Sequence, residues 1–172
     1  MMKKQKITSL QTLFSSRLDT LEHLLKKAIE HFGSEAESIL QKRIVADMLP
    51  FGTQIAYTCN QPYRFASWCE GKDVSDLDPQ VQSVAQARDM IATTKVGLME
   101  ITATDAKLEE TKRLDFPGGI YVELPGTAYV DDFLIPNFYF HLVTAYDILR
   151  MEGVAIGKGD YMTHLMPLVR QG

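Results

Sequence analysis

The chain has 172 residues, 18 Lys+Arg against 22 Asp+Glu, 45% apolar and 23% charged residues, two Cys and one Trp. That length and balance predict a single domain, 1–172, with a core large enough to fold without a metal or a disulfide staple. The formal charge of −4 comes with no basic block and no acidic run, which excludes a nucleic-acid footprint and an acidic interaction tail.

Apolar residues at Leu10, Leu13, Phe14, Leu18, Leu21, Leu24, Leu25, Ala28, Ile29 and Phe32 follow the three-and-four spacing of an amphipathic helix. Gly33 ends it. Arg17 falls within the apolar stripe, where its stem can lie on apolar surface while its head reaches water. A second helical pattern runs from Ser34 or Ser38 towards Cys69, with Ile44, Met48, Phe51, Ile55, Cys59, Ala66 and Cys69 on one stripe. Pro50 and Pro62 interrupt it, and each predicts a kink or break. Cys59 and Cys69 on one helix would stand roughly 15 Å apart, too far for a disulfide, and their place on the apolar stripe reads as inert core thiols.

The segment GKDVSDLDP at 71–79 reads as a loop, with Asp78 capping a third helix that starts at Pro79 and runs to about Thr102. Between Thr111 and Gly126 two short β-prone runs flank Pro117-Gly118-Gly119, which predicts a small hairpin or an extended excursion between helices 3 and 4. A fourth helix is expected over Thr127 to Glu152 with Pro136 inside it, and Gly153 follows as its C-terminal stop. The remainder, 153–172, is Gly-punctuated and is expected to wrap on the surface. Four helices with short connections make the predicted fold an all-α four-helix bundle.

The longest apolar stretch free of Asp, Glu, Lys and Arg, Phe133 to Tyr146, has 14 residues and falls short of the roughly 20 that span a bilayer. MMKKQK is basic like the start of a signal peptide, but Arg17 and Asp19 arrive before any unbroken apolar run. The expectation is a cytoplasmic protein with neither a membrane nor a nucleic acid as partner.

His141 is the residue best placed for chemistry, because at about 100° per residue it shares a helix face with Leu134, Phe138, Ala145, Ile148 and Leu149. A buried imidazole needs a partner or loses about 1–3 kcal/mol. Asn137 falls one turn before it and Thr144 on the same flank one turn later, while Tyr139 and Tyr146 flank the helix. On helix 2, Asp47 and Gln54 lie within about 20° of one another, on a shoulder of the apolar stripe. Asp47 is the expected acceptor for a His141 ring N–H, which would fix the tautomer and raise the basicity.

Three readings compete. A satisfied core histidine is the plainest. A catalytic pair, His141 as general base oriented by Asp47, with Gln54, Asn137, Thr144 and Tyr146 lining a ligand pocket, is the second. Metal binding is the weakest, since the position four residues after His141 is Ala145 and the one four before is Asn137, which leaves His141 as the only ligand if there is one. GVAIGKG at 153–159 is not a phosphate loop: its glycines are too close, Gly159 replaces the Ser or Thr, and a helix precedes it.

The strings RIVADMLPFGTQ at 43–54, PNFYFHLVTAYDILR at 136–150 and GVAIGKGDY at 153–161 resemble a bacterial family of domains of unknown function within the DinB/YfiT-like superfamily of four-helix bundles. The resemblance is colinear over essentially the whole chain. It implies an up-down-down-up bundle, frequently dimeric, whose better-known relatives hold a divalent metal such as Zn, Ni or Mn with three histidines and in some cases transfer or isomerise small thiols. His141 matches one histidine of the last-helix pair; Ala145 stands at the second, and the helix 2 segment offers Asp47 and Gln54 instead of a histidine. The resulting expectation is a small-ligand-binding or homodimeric module with an incomplete metal site. A degenerate thiol-transferase-like enzyme using His141 and a purely structural bundle are the alternatives.

Overall fold

Four helices carry the apolar stripes into one core: α1 (Gln5–Phe32), α2 (Phe51–Cys69), α3 (Val84–Met99) and α4 (Ile135–Met151). This is a computed structural model that describes residues 4–73 and 75–171; Met1 to Lys3 of MMKKQK, Val74 of the 71–79 segment and Gly172 lie outside the described residues. The directions follow from which residues meet. Gln11 Nε2 donates to Leu98 O and Lys95 pairs with Asp19, so α1 and α3 run antiparallel. Lys6 reaches Asp131 and Phe14 packs on Phe138, so α1 and α4 run parallel. Gln54 meets His141 while Trp68 meets Tyr129, so α2 and α4 are antiparallel. The bundle is therefore up-down-down-up, with α2 packed against both α3 and α4.

On α1 the buried Leu10, Phe14, Leu18, Leu21, Leu25 and Ala28 repeat every three or four residues, and Gly33 at φ 55 ends the helix. Phe14 sits at the centre, with ring centroids 5.1 Å from Phe138 and 5.7 Å from Phe65. Arg17 is half-buried and donates to Ser16 Oγ at 2.8 Å, in keeping with a stem laid on apolar surface. A carboxylate from far along the chain supplies the α1 N-terminus: Asp105 accepts from the Ile7 and Lys6 N–H groups at 2.9 and 3.1 Å. These bonds to the helix start hold Asp105 below the usual carboxylate range.

The second helix differs from the expectation. A 3₁₀ stretch, Gly33–Gln41, is followed by an irregular exposed segment, 42–50, and α2 starts only at Phe51. Pro50 stands at the N-cap, where its missing N–H costs nothing, whereas Pro62 lies inside α2 without ending it. Asp47, Ile44 and Met48 are thus not on a helix at all. Cys59 and Cys69 are buried, free and pushed up to about 12 by desolvation, which makes them core thiols.

The start of α3 is also displaced. Asp78 spends its carboxylate on the Gln80 N–H, a local turn, and Ser83 caps the helix by accepting from Gln86 N at 3.0 Å. The hairpin forms as expected: β1 (Thr111–Phe116) pairs antiparallel with β2 (Ile120–Pro125), Leu114 opposite Val122, around Gly118 and Gly119 at φ 85 and 76.

From Gly126 the chain is helical up to Met151, but Tyr129–Leu134 is a π-helical turn. Pro136 follows directly; it cannot donate to the carbonyl four residues earlier, and the widened turn absorbs that loss without a break. Gly126 is obligatory here for space: a Cβ would stand 2.6 Å from Trp68 Cη2 and 2.8 Å from Leu108 O. The segment after Gly153 is more than a surface wrap. Val154 and Ile156 are in the core, Asp160 accepts from the His23 ring at 2.8 Å, and Thr163 shares a hydrogen bond with Thr20 of α1.

Candidate functional site

His141 faces α2 and is half-buried, with buried Thr144 and Ile148 on one side of it on the α4 wheel and buried Ala145 and Leu149 on the other. Its ring Nδ1 is 2.8 Å from Gln54 Oε1. The Gln54 amide is itself oriented, since its Nε2 donates to Leu49 O at 3.0 Å, so the oxygen must face the ring and Nδ1 must carry the proton. Nε2 then presents a lone pair. It has no partner among the described residues and is not one of the enclosed unpaired atoms, so it meets solvent.

Aromatic walls complete the setting. Tyr57, one turn after Gln54 on α2, has its ring centroid 5.1 Å from the imidazole, and Phe140 stands edge-on at 5.2 Å. No cation or carboxylate offsets the desolvation, which pulls His141 down to about 4. At neutral pH the imidazole is uncharged and only weakly basic.

The other expected site residues do not join it. Asp47 is exposed in the 42–50 segment, and the imidazole partner is the Gln54 amide instead. Asn137 Nδ2 donates back to Phe133 O at 2.7 Å, and Thr144 Oγ1 donates to Phe140 O at the same distance. Both are short polar side chains satisfied by their own helix, a competition that helical-wheel reasoning does not register. Tyr146 faces the other flank, where it meets Tyr161 and lines a cleft of about 170 Å³ with Val143, Asp147 and Lys158. Tyr57 is not among the expected site residues, although its position three residues after Gln54 puts it on the right face.

A divalent metal does not fit the side chains present. One turn beyond His141 stands buried Ala145, α2 offers an amide oxygen, and among the described residues no three of His, Cys, Asp and Glu converge. One imidazole and one amide are not a Zn, Ni or Mn ligand set. The general-base reading also weakens, because the carboxylate meant to raise the basicity is elsewhere.

A family model described as a domain of unknown function, DUF1993, matches residues 8–162. The chain belongs to this family. A crystal structure of a DinB family member from Shewanella denitrificans is similar over 88% of each chain, with 27% identity and a TM-score of 0.73. The DUF1993 chain is thus a branch of the DinB-like bundles, as its motifs indicated. No curated protein matches it. Among its described residues no helix is long and apolar enough to cross a membrane.

Proposed function

We propose that this DUF1993 protein is a binding module whose working face is the outer side of α4 beside His141, and that a second copy of the chain covers that face. The carrying observation is an apolar stripe turned to solvent. Phe140 is 59% exposed, Val143 39% and Met151 49%, at spacings that align them along one side of α4 with a single carboxylate, Asp147, between them. Exposed Ile44, Val45 and Leu49 belong to the segment that leads into α2, and Lys42 at its start pairs with Glu152 just past α4. A stripe along one helix is self-complementary when a second copy lies across it about a two-fold axis. A neutral imidazole suits such a face, since covering it strands no charge.

Light scattering behind size exclusion tests this directly. The expected species at micromolar concentration has twice the 19.4 kDa of one chain, and Phe140→Glu returns it to the single-chain mass. A wild-type protein that elutes at one chain's mass overturns the reading.

A second reading rests on the fixed tautomer. His141 Nε2 is a permanent acceptor between two aromatic rings, which suits a small flat ligand carrying an O–H or N–H donor. A single-chain mass would favour this reading over the first.

A further inference from the structure

A second polar site lies at the opposite end of the α2/α4 contact and owes nothing to His141. The hairpin folds over the π-helical turn and leaves a cavity of about 270 Å³ lined by Arg64, Lys112, Arg113, Leu114, Asp115 and Tyr129. Three cations line it, and two of them are ion-paired with carboxylates. Arg64 Nε donates to Asp76 Oδ1 at 2.7 Å, and Arg113 is held by Asp115 through two donors at 2.9 and 2.7 Å. The Lys112 ammonium has no carboxylate within ion-pair distance among the described residues; it stands 5.9 Å over the Tyr129 ring.

Tyr129 supplies the independent sign of a ligand. The residue is 0% exposed, and its hydroxyl has no hydrogen-bond partner. Buried hydroxyls without partners are rare and costly, so this one needs an explanation. Burial pushes the phenol up to about 12 against the pull of Arg64, so it stays a donor. A bridging water would satisfy the hydroxyl as well, but its binding would not saturate with added anion.

We propose that this cavity binds a small oxyanion, a phosphoryl or carboxylate group, held by the Tyr129 hydroxyl and the Lys112 ammonium with Arg64 beside them. The size admits such a group with a few waters, and charge-assisted bonds from an ammonium and a phenol are the donors an oxyanion takes. Arg64 and Arg113 are already oriented by Asp76 and Asp115, so the cationic wall is formed before the ligand arrives.

The only tryptophan reports on the site, because the Trp68 ring packs edge-on to Tyr129 at 5.3 Å. Inorganic phosphate and malonate are titrated in parallel at constant ionic strength set with chloride, and both Trp68 fluorescence and calorimetric heat are read. Saturable binding of either anion, roughly tenfold weaker in Tyr129→Phe and lost in Lys112→Gln, is the expected result. Preference for phosphate or for malonate says which source the site serves. Exposed Lys26→Gln is the control for general charge loss, and a circular-dichroism melt of each variant shows that it is folded. No saturation beyond the chloride control up to millimolar anion overturns the proposal, and so does binding that ignores either Tyr129→Phe or Lys112→Gln in folded protein.

Discussion

Two polar rings on one helical arm, twelve residues apart, meet opposite conditions. His141 sits on regular helix at the edge of the core, and its Nδ1–H is satisfied by an amide that is itself held by a backbone carbonyl. Tyr129 sits in the π-helical turn, enclosed on every side, with its hydroxyl unmatched. The first is a closed hydrogen-bond chain whose open end is a lone pair facing out; the second is an unmatched donor on a residue that borders a cavity with cationic walls. A polar group that a fold has finished satisfying fixes geometry, whereas one left unsatisfied at a charged cavity indicates a missing partner.

The comparison breaks most sharply at Gly126, which lets the Tyr129 turn lie against Trp68. Gly126→Ala drives a Cβ to within 2.6 Å of the indole and 2.8 Å of the Leu108 carbonyl, and backbone cannot swing aside as a side-chain end does. The expected cost is about 3 kcal/mol, read as a fall in the urea midpoint. If the variant matches wild type, the indole and the Tyr129 turn are not packed as described.

The second test sharpens the His141 side through pH. The native imidazole titrates near 4 while an unfolded histidine titrates near 6.5, so the unfolded chain takes up its proton first as pH falls. Stability is therefore lost from about pH 6.5 down to the native value and levels off below it. Allowing for partial exposure, the loss is about 2 kcal/mol. His141→Leu should lack this component, so the stability difference between wild type and variant changes across that window. An unchanging difference would mean that the imidazole is well solvated. The carboxylates depressed by hydrogen bonds, Asp105, Glu70 and Asp160, lose stability at lower pH in both proteins and cancel in the comparison.

The four helices and the hairpin were legible because each has a local cause. The α1 stripe, the Pro-Gly-Gly turn and Gly153 act within a few residues of themselves. The spacing alone does not locate the start of α2, because Ile44 and Met48 continue a helical period across a segment that packs only partly, and that period puts Asp47 on a face it does not occupy. His141 was identified from one helical wheel, and its neighbour Gln54 from another. What neither could show was which polar groups their own helices would satisfy first, as with Asn137 and Thr144. The Tyr129 cavity was invisible for a different reason. It needs the hairpin, the π turn and α2 together, and no period in the sequence relates Lys112 to Arg64.

The smallest expected effect is also the one that separates the two rings most cleanly. Removing a satisfied hydroxyl from a core usually destabilises, but the Tyr129 hydroxyl has nothing to lose in the unliganded protein. Tyr129→Phe keeps the ring contacts with Trp68 and Phe133 and deletes only the unmatched dipole. Its melting temperature in anion-free buffer should equal or exceed that of wild type, by an amount that corresponds to about 1 kcal/mol or less. A clear drop would show that the hydroxyl already has a partner in the resting protein, a trapped water or a retained anion, and exhaustive dialysis before the melt distinguishes the two because only the anion is removed by it.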